Sequence, residues 1–104
     1  MNSIFSVDIS VMSEPQRIRD VFLGFDNFLE DLCKPLRIGA SYICSPSPES
    51  LITVFLSDDI KKFLMIIRVE STSATEIIRI TEHINNKLKE NGIHANLVNS
   101  FNKL

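Results

Sequence analysis

The chain has 104 residues, of which 44% are hydrophobic and 23% charged, so composition and length predict one globular domain that needs no metal or disulfide framework. A formal net charge of −2 excludes an overall basic field that would attract nucleic acid. No apolar run reaches the roughly 20 residues of a membrane span, and the first residues lack the pattern of a signal peptide. A cytoplasmic location is therefore predicted, with Cys33 and Cys44 as reduced, buried side chains.

The first two elements are a strand and a helix. Residues 3–12 alternate between apolar and polar side chains, which is typical of a half-buried strand. Ser13 and Gln16 match a capping box, which predicts that a helix begins there. Apolar residues at helical spacing run from Ile18 to Leu36, and Pro35 predicts the end of the helix near Lys34.

The middle of the chain predicts three strands. The first is Arg37–Cys44, and a Ser/Pro-rich connector leads from it to a hairpin of Leu51–Ser57 and Lys62–Glu70. With Asp58–Lys61 as the loop, Ser57 would lie opposite Lys62. This register makes one side of the hairpin wholly apolar, and burial should select it. That side comprises Ile52, Val54, Leu56, Phe63, Met65, Ile67 and Val69.

The last third predicts a second helix and a short strand. Ser73 and Glu76 form another capping box, followed by an apolar stripe of Ile77, Ile80, Ile84 and Leu88. Asn91-Gly92 is typical of a helix C-terminus. Residues 93–98 alternate as a final strand would, and residues 99–104 are expected to form a frayed tail.

These elements predict one domain over residues 1–104 with the order β-α-β-β-β-α-β. Each helix has one apolar face, and the hairpin has one wholly apolar side. The arrangement that buries all of them is a two-layer α+β sandwich, with a mostly antiparallel sheet and both helices on one face. The element order resembles the split β-α-β arrangement of ferredoxin-like domains and also the plan of double-stranded-RNA-binding domains.

Residues that could carry catalysis are sparse. His83 and His94 are far apart in sequence, and nothing in the spacing of the cysteines indicates a Cys-His pair. Asp58-Asp59 is typical of a turn rather than a metal site, and three glycines cannot build a phosphate loop. We therefore expect no enzyme, no cofactor and no metal.

The mixed side of the hairpin is the most informative feature for function. Leu51, Phe55, Leu64 and Ile66 would cluster there, with Phe55 across from Leu64. If both helices cover the other side, this cluster either is a contact surface or is covered by the C-terminal segment or a loop that folds back over it. A contact surface of this kind would suit a homodimer, since one self-complementary patch suffices for a two-fold interface.

The leading functional hypothesis is a small acidic inhibitor. Asp20, Asp26, Glu30 and Asp31 form an acidic stretch without a base, which could steer the chain to a basic protein. A toxin-neutralising immunity protein or a phage protein that blocks a host protein would fit. The alternatives are a dimeric ferredoxin-like domain that senses a ligand, a secretion-type chaperone, and a small RNA-binding protein that uses the lysines of the second half.

Overall fold

The structure is a computed structural model that describes residues 4–59 and 62–102, with side chains described for residues 4–57 and 64–97. The helices are α1 (Pro15–Leu23), α2 (Phe25–Phe28) and α3 (Ala74–Glu90). The strands are β1 (Ile4–Met12), β2 (Leu36–Ile38), β3 (Ser41–Ser47), β4 (Ser50–Asp59), β5 (Lys62–Ser71) and β6 (Ala95–Asn102).

The described strands form one six-stranded sheet in the order β2-β3-β4-β5-β1-β6, and every neighbouring pair is antiparallel. β5 lies between β1 and β4, and β1 lies between β5 and β6. Both β-α-β units, β1-α1-β4 and β5-α3-β6, are thus split by an inserted strand, as the element order suggested. The predicted α+β sandwich is confirmed.

The core lies on one side of this sheet. Ile9 pairs with Ile67, Val54 pairs with Ile67 from the other side, and all three side chains are fully buried. The helices contribute Ile18, Phe22, Phe25 and Leu29 from one segment and Ile77, Ile80, Ile84 and Leu88 from α3 to the same buried cluster. Both helical segments therefore pack on the same side, which we call the helix-covered face. The opposite side is the open face.

The central hairpin has a different register from the predicted one. Ser57 lies opposite Leu64 rather than Lys62, because the strands continue to the pair Asp59–Lys62. Asp58 and Asp59 consequently belong to β4 instead of a loop, while residues 60–61 lie outside the described residues. The difference is two residues, so each side chain keeps its predicted face.

The first helix is shorter than predicted. It ends at Leu23, and Gly24 separates it from the single turn α2. The predicted capping box is wrong, since Glu14 is the N-cap residue and no side chain caps the first turn. Pro15 in that turn has no backbone N–H to be capped, which explains how the helix begins without a capping side chain.

The predicted strand Arg37–Cys44 is a hairpin of two strands. Gly39 has φ +60°, a conformation that L-residues rarely adopt, and it reverses the chain between β2 and β3. The turn places Ile38 opposite Ser41 and Leu36 opposite Ile43. It therefore adds a short edge strand whose three residues are all exposed.

Cys33 and Cys44 form a disulfide with a Cα–Cα distance of 5.9 Å, so the prediction of reduced cysteines is wrong. Cys33 follows α2, and Cys44 lies on the helix-covered side of β3, opposite Ile52. The β2–β3 hairpin folds the chain back and brings the two residues together. A separation of 11 residues gave no sign of this proximity.

The C-terminal third largely follows the prediction. The Glu76 amide donates to Ser73 Oγ at 3.3 Å, which confirms Ser73 as the N-cap residue. The reciprocal half of the predicted capping box is wrong, because the Ser73 amide donates to Ser71 Oγ and the Glu76 carboxylate accepts from Arg79. Gly92 has φ +71° after the helix ends. β6 begins at Ala95 and continues to Asn102, paired with β1 along its length. Residues 99–102, expected to fray, are thus strand, and residues 103–104 lie outside the described residues.

Gly92→Ala is expected to reduce the free energy of unfolding by about 1 kcal/mol, because an L-residue in the left-handed conformation is strained. A Cβ at this position would also meet Arg17 Nη2 at 3.4 Å, and this guanidinium donates to the Asn91 carbonyl. Urea denaturation measures the change. Gly24→Ala is the control, since a Cβ there meets its nearest atom at an ordinary 3.6 Å. Equal stability of the two variants would contradict the Gly92 conformation.

Candidate functional site

The registers arrange the open face as rows of side chains that run across neighbouring strands. One row consists of Ile38, Ser41, Phe55, Ile66 and Ser10. The next row consists of Leu36, Ile43, Thr53, Arg68 and Asp8. All the apolar members of these rows lie on β2 to β5, where Ser41 and Thr53 interrupt them, whereas both members on β1, Ser10 and Asp8, are polar. The open face is therefore divided into an apolar half and a polar half.

The apolar half, together with Met12 opposite Leu64 at the end of β1, forms a surface that we call the open-face patch. It consists of Met12, Leu36, Ile38, Ile43, Leu51, Phe55, Leu64 and Ile66. Four of these are large side chains with exposed fractions of 53% (Met12), 63% (Leu36), 56% (Ile38) and 39% (Leu51). The remaining four are half-buried.

The four residues predicted for a contact surface, Leu51, Phe55, Leu64 and Ile66, all lie in this patch. Phe55 pairs with Ile66 rather than with Leu64, because of the register difference. The sequence reasoning missed Leu36 and Ile38, its most exposed members, by assigning the first to a helix stripe. Gly39-Ala40 was the signal for the hairpin that exposes them.

An ion pair marks the boundary between the two halves. Arg68 donates to both carboxylate oxygens of Asp8, at 2.8 and 3.1 Å. Its guanidinium carbon lies 5.4 Å from the centroid of the Phe55 ring. The hydrogen bond to Asp8 raises the pKa of Arg68 above its ordinary value. The pair therefore leaves no free charge at the centre of the face and places a cation against the aromatic ring.

The predicted acidic residues belong to the helical layer. Asp20 accepts a hydrogen bond from Gln16 at 3.1 Å, and Asp26 and Glu30 are exposed. Asp31 is also exposed but contacts α3. The sheet separates these carboxylates from the open-face patch. The acidic residues and the apolar residues thus do not form one continuous site.

Asp31 joins the segment after α2 to α3. Lys87 Nζ lies 2.9 Å from one of its carboxylate oxygens, and His83 Nε2 lies 2.8 Å from the other. Lys87 also donates to the Phe28 carbonyl at 2.8 Å. The hydrogen bond from Lys87, with a smaller contribution from His83, lowers the pKa of Asp31 despite some desolvation. These contacts fasten two parts of the helical layer together.

The groups that could support catalysis are dispersed. Cys33 and Cys44 are joined in the disulfide and offer no thiol, and His94 is exposed after the end of α3. Among the side chains that the structure describes, no group of three or more His, Cys, Asp or Glu residues could hold a metal ion. The side chains of Asp58 and Asp59 lie outside that part. Within the described residues, no helix is long and apolar enough to cross a membrane.

The comparisons with known proteins give no relative. No protein-family model matches the chain, and no curated protein and no solved structure matches it.

Asp31→Asn is expected to lower the free energy of unfolding at neutral pH by a few tenths to about 1 kcal/mol, as for an exposed ion pair. Because the folded state lowers the pKa of Asp31, its contribution is present above the ordinary carboxyl range. It is lost as the pH falls through the lowered folded pKa. The difference between wild type and variant should therefore shrink toward zero in acid, as measured by denaturation at several pH values.

Asp26→Asn is the matched control, since Asp26 is exposed and has no side-chain partner among the described residues. It should not alter stability at either end of the pH range. A difference between wild type and Asp31→Asn that persists unchanged in acid would contradict the ion-pair account.

Proposed function

We propose that this chain is a non-enzymatic protein-binding domain that contacts its partner through the open-face patch. The observation that carries the proposal is the exposure of Leu36 (63%) and Ile38 (56%) beside the half-buried Ile43 and Phe55. Single exposed apolar residues are normal on protein surfaces, but a group spread over five neighbouring strands is typical of an interface.

The surroundings of the patch also suit a protein partner. The Asp8–Arg68 pair and Glu70 lie at its polar side, so the patch has an apolar centre and a charged margin. Interfaces commonly combine an apolar core with a polar rim. Arg68 against Phe55 supplies a cation and an aromatic side chain, two residue types enriched in interfaces.

The more specific proposal is a small acidic inhibitor, of the type of an immunity protein or a phage antagonist of a host protein. Asp20, Asp26 and Glu30 lie on the helical layer and would not contact a partner bound to the open face. They would act at a distance, because a field of several charges speeds the encounter with a basic protein without direct contact.

We further propose that the same face pairs with a second copy of the chain when no other partner is bound. Two copies stacked through their open faces would be related by a two-fold axis, and each would supply the same patch. The partner protein and the second copy would then compete for one surface.

The location of the protein remains a prediction. The sequence favours the cytoplasm, whereas the Cys33–Cys44 disulfide weighs against it because such bonds persist mainly in oxidising compartments.

Ile38→Asp tests the patch, and Leu23→Asp is its matched control. Leu23 is 53% exposed, close to the 56% of Ile38, but it lies on α1 in the helical layer. Light scattering over a concentration series should show dimers for wild type and Leu23→Asp and monomers for Ile38→Asp. A partner purified from the host should bind Ile38→Asp at least about tenfold more weakly, since a charge would be buried in an apolar contact.

The two measurements separate the parts of the proposal. A monomeric wild type whose partner binding is sensitive to Ile38→Asp removes the dimer but keeps the contact surface. A monomeric wild type whose partner binds both variants equally contradicts the open-face patch as the binding surface.

A further inference from the structure

A second surface feature lies on the other side of the sheet. A cavity of about 460 Å³ opens between β1 and the N-terminal half of α3. Its walls include Phe5 and Val7 from β1 and Ala74, Ile77, Ile78 and Thr81 from α3. Ligand-binding cavities in proteins measure roughly 300–1,000 Å³, so this volume admits a small organic molecule.

The cavity lies beside a helix that does not reach the edge of the sheet. α3 packs over β1 and β5, whereas β6 extends beyond it. Leu97 pairs with Ile9 and so lies on the helix-covered side, yet 49% of it is exposed. Ile78, on the flank of α3, is 59% exposed. Apolar side chains are thus exposed along one flank of the helix, beside the cavity.

The chemistry of its walls restricts which molecules the cavity could bind. Apart from Ser6, Thr81 and Glu82, the described lining residues are apolar. Glu82 carries a carboxylate that repels an anion, and no lysine, arginine or histidine is among the described lining residues to balance one. Glu82 would attract a cation, but it is exposed to solvent, and the apolar walls would have to desolvate a charge of either sign. The walls therefore favour an uncharged, largely apolar molecule.

Thr81 adds a polar requirement. It is 7% exposed, and its Oγ1 has no hydrogen-bond partner among the described residues. Buried hydroxyl groups without a partner are uncommon and disfavour the folded state. This oxygen is itself buried, so another part of Thr81 lines the cavity in the conformation seen here. Threonine in a helix populates two χ1 rotamers, and a 120° rotation about χ1 changes which Cβ substituent faces the cavity. A molecule in the cavity could then hydrogen-bond the hydroxyl that the protein leaves unpaired.

We propose that the cavity between β1 and α3 binds a small, uncharged, largely apolar molecule with one hydrogen-bonding group, which pairs with Thr81. The site is independent of the open-face patch, because the sheet lies between them. For the alternative of a ferredoxin-like, ligand-sensing domain, it specifies both the binding site and the kind of ligand.

Titration followed by ¹⁵N–¹H NMR tests this proposal with two probes of the same ring system. 2-Naphthalenemethanol is neutral and carries one hydroxyl, whereas 2-naphthoate carries a negative charge. The alcohol should shift the amide signals of residues 5–7 and 74–82, and 2-naphthoate should shift them far less at equal concentration. If the alcohol shifts no signal in these two segments up to its solubility limit, or shifts only open-face signals, the site is refuted.

Two variants, each with a matched control, locate the binding. Ala74→Trp places a large side chain at an exposed position of the wall and should abolish binding, while Ala40→Trp, in the exposed β2–β3 turn, should leave it intact. Thr81→Val should weaken the alcohol about fivefold, the change in Kd expected for one neutral hydrogen bond. Thr75→Val, at an exposed position of the same helix, should not. Binding that survives Ala74→Trp overturns the cavity as the site, and unchanged binding to Thr81→Val overturns the role of its hydroxyl.

Discussion

The structure depends on an imbalance between a wide sheet and the few helices available to cover it. Six strands span roughly 24 Å between the outer strand axes, and a helix with its side chains is about 10 Å wide. The helical segments lie on one side, where Ile9, Ile52, Val54, Ile67 and Val69 are fully buried. Nothing among the described elements lies over the other side. Burial of one face at the expense of the other is the constraint from which both proposed surfaces follow.

The two surfaces result from this constraint in different ways. The open-face patch is the apolar part of a face that receives no helix. The cavity beside α3 lies on the helix-covered face, between β1 and the N-terminal half of that helix. Because the sheet separates them, occupation of the cavity and contact through the patch need not interfere sterically. Any coupling between them would have to pass through β1, whose residues line both sides of the sheet.

Period-2 patterning was sufficient to assign the faces of the central strands. Val54 and Met65 lie on the buried side as expected, although their partners differ from the predicted ones, because an even shift in register preserves the face. The N-cap role of the Ser73 hydroxyl and the positive φ of Gly92 could also be predicted from local sequence, since helix ends depend on a few neighbouring residues.

The features that were missed depend on contacts distant in sequence or on small deviations of the backbone. Gly24 ends a helix whose apolar spacing continues without a break, so periodicity could not locate its end. Gly39 reverses a segment that alternates like one strand, and this turn creates the most exposed part of the patch. The Cys33–Cys44 disulfide and the cavity beside α3 both require the packed arrangement of several elements, which no local pattern encodes.

Two methionines on opposite sides of the sheet test most directly whether the helices cover only one of its faces. Met12 is 53% exposed on the open face, whereas Met65, beneath the helices, is fully buried. Limited oxidation by hydrogen peroxide followed by peptide mass spectrometry measures both rates at once, because sulfoxide formation requires access to the thioether. In the Ile38→Asp variant, where self-association cannot hide the open face, Met12 should be oxidised much faster than Met65. Equal rates, or protection of both residues, would contradict a sheet that has helices on one face and an uncovered surface on the other.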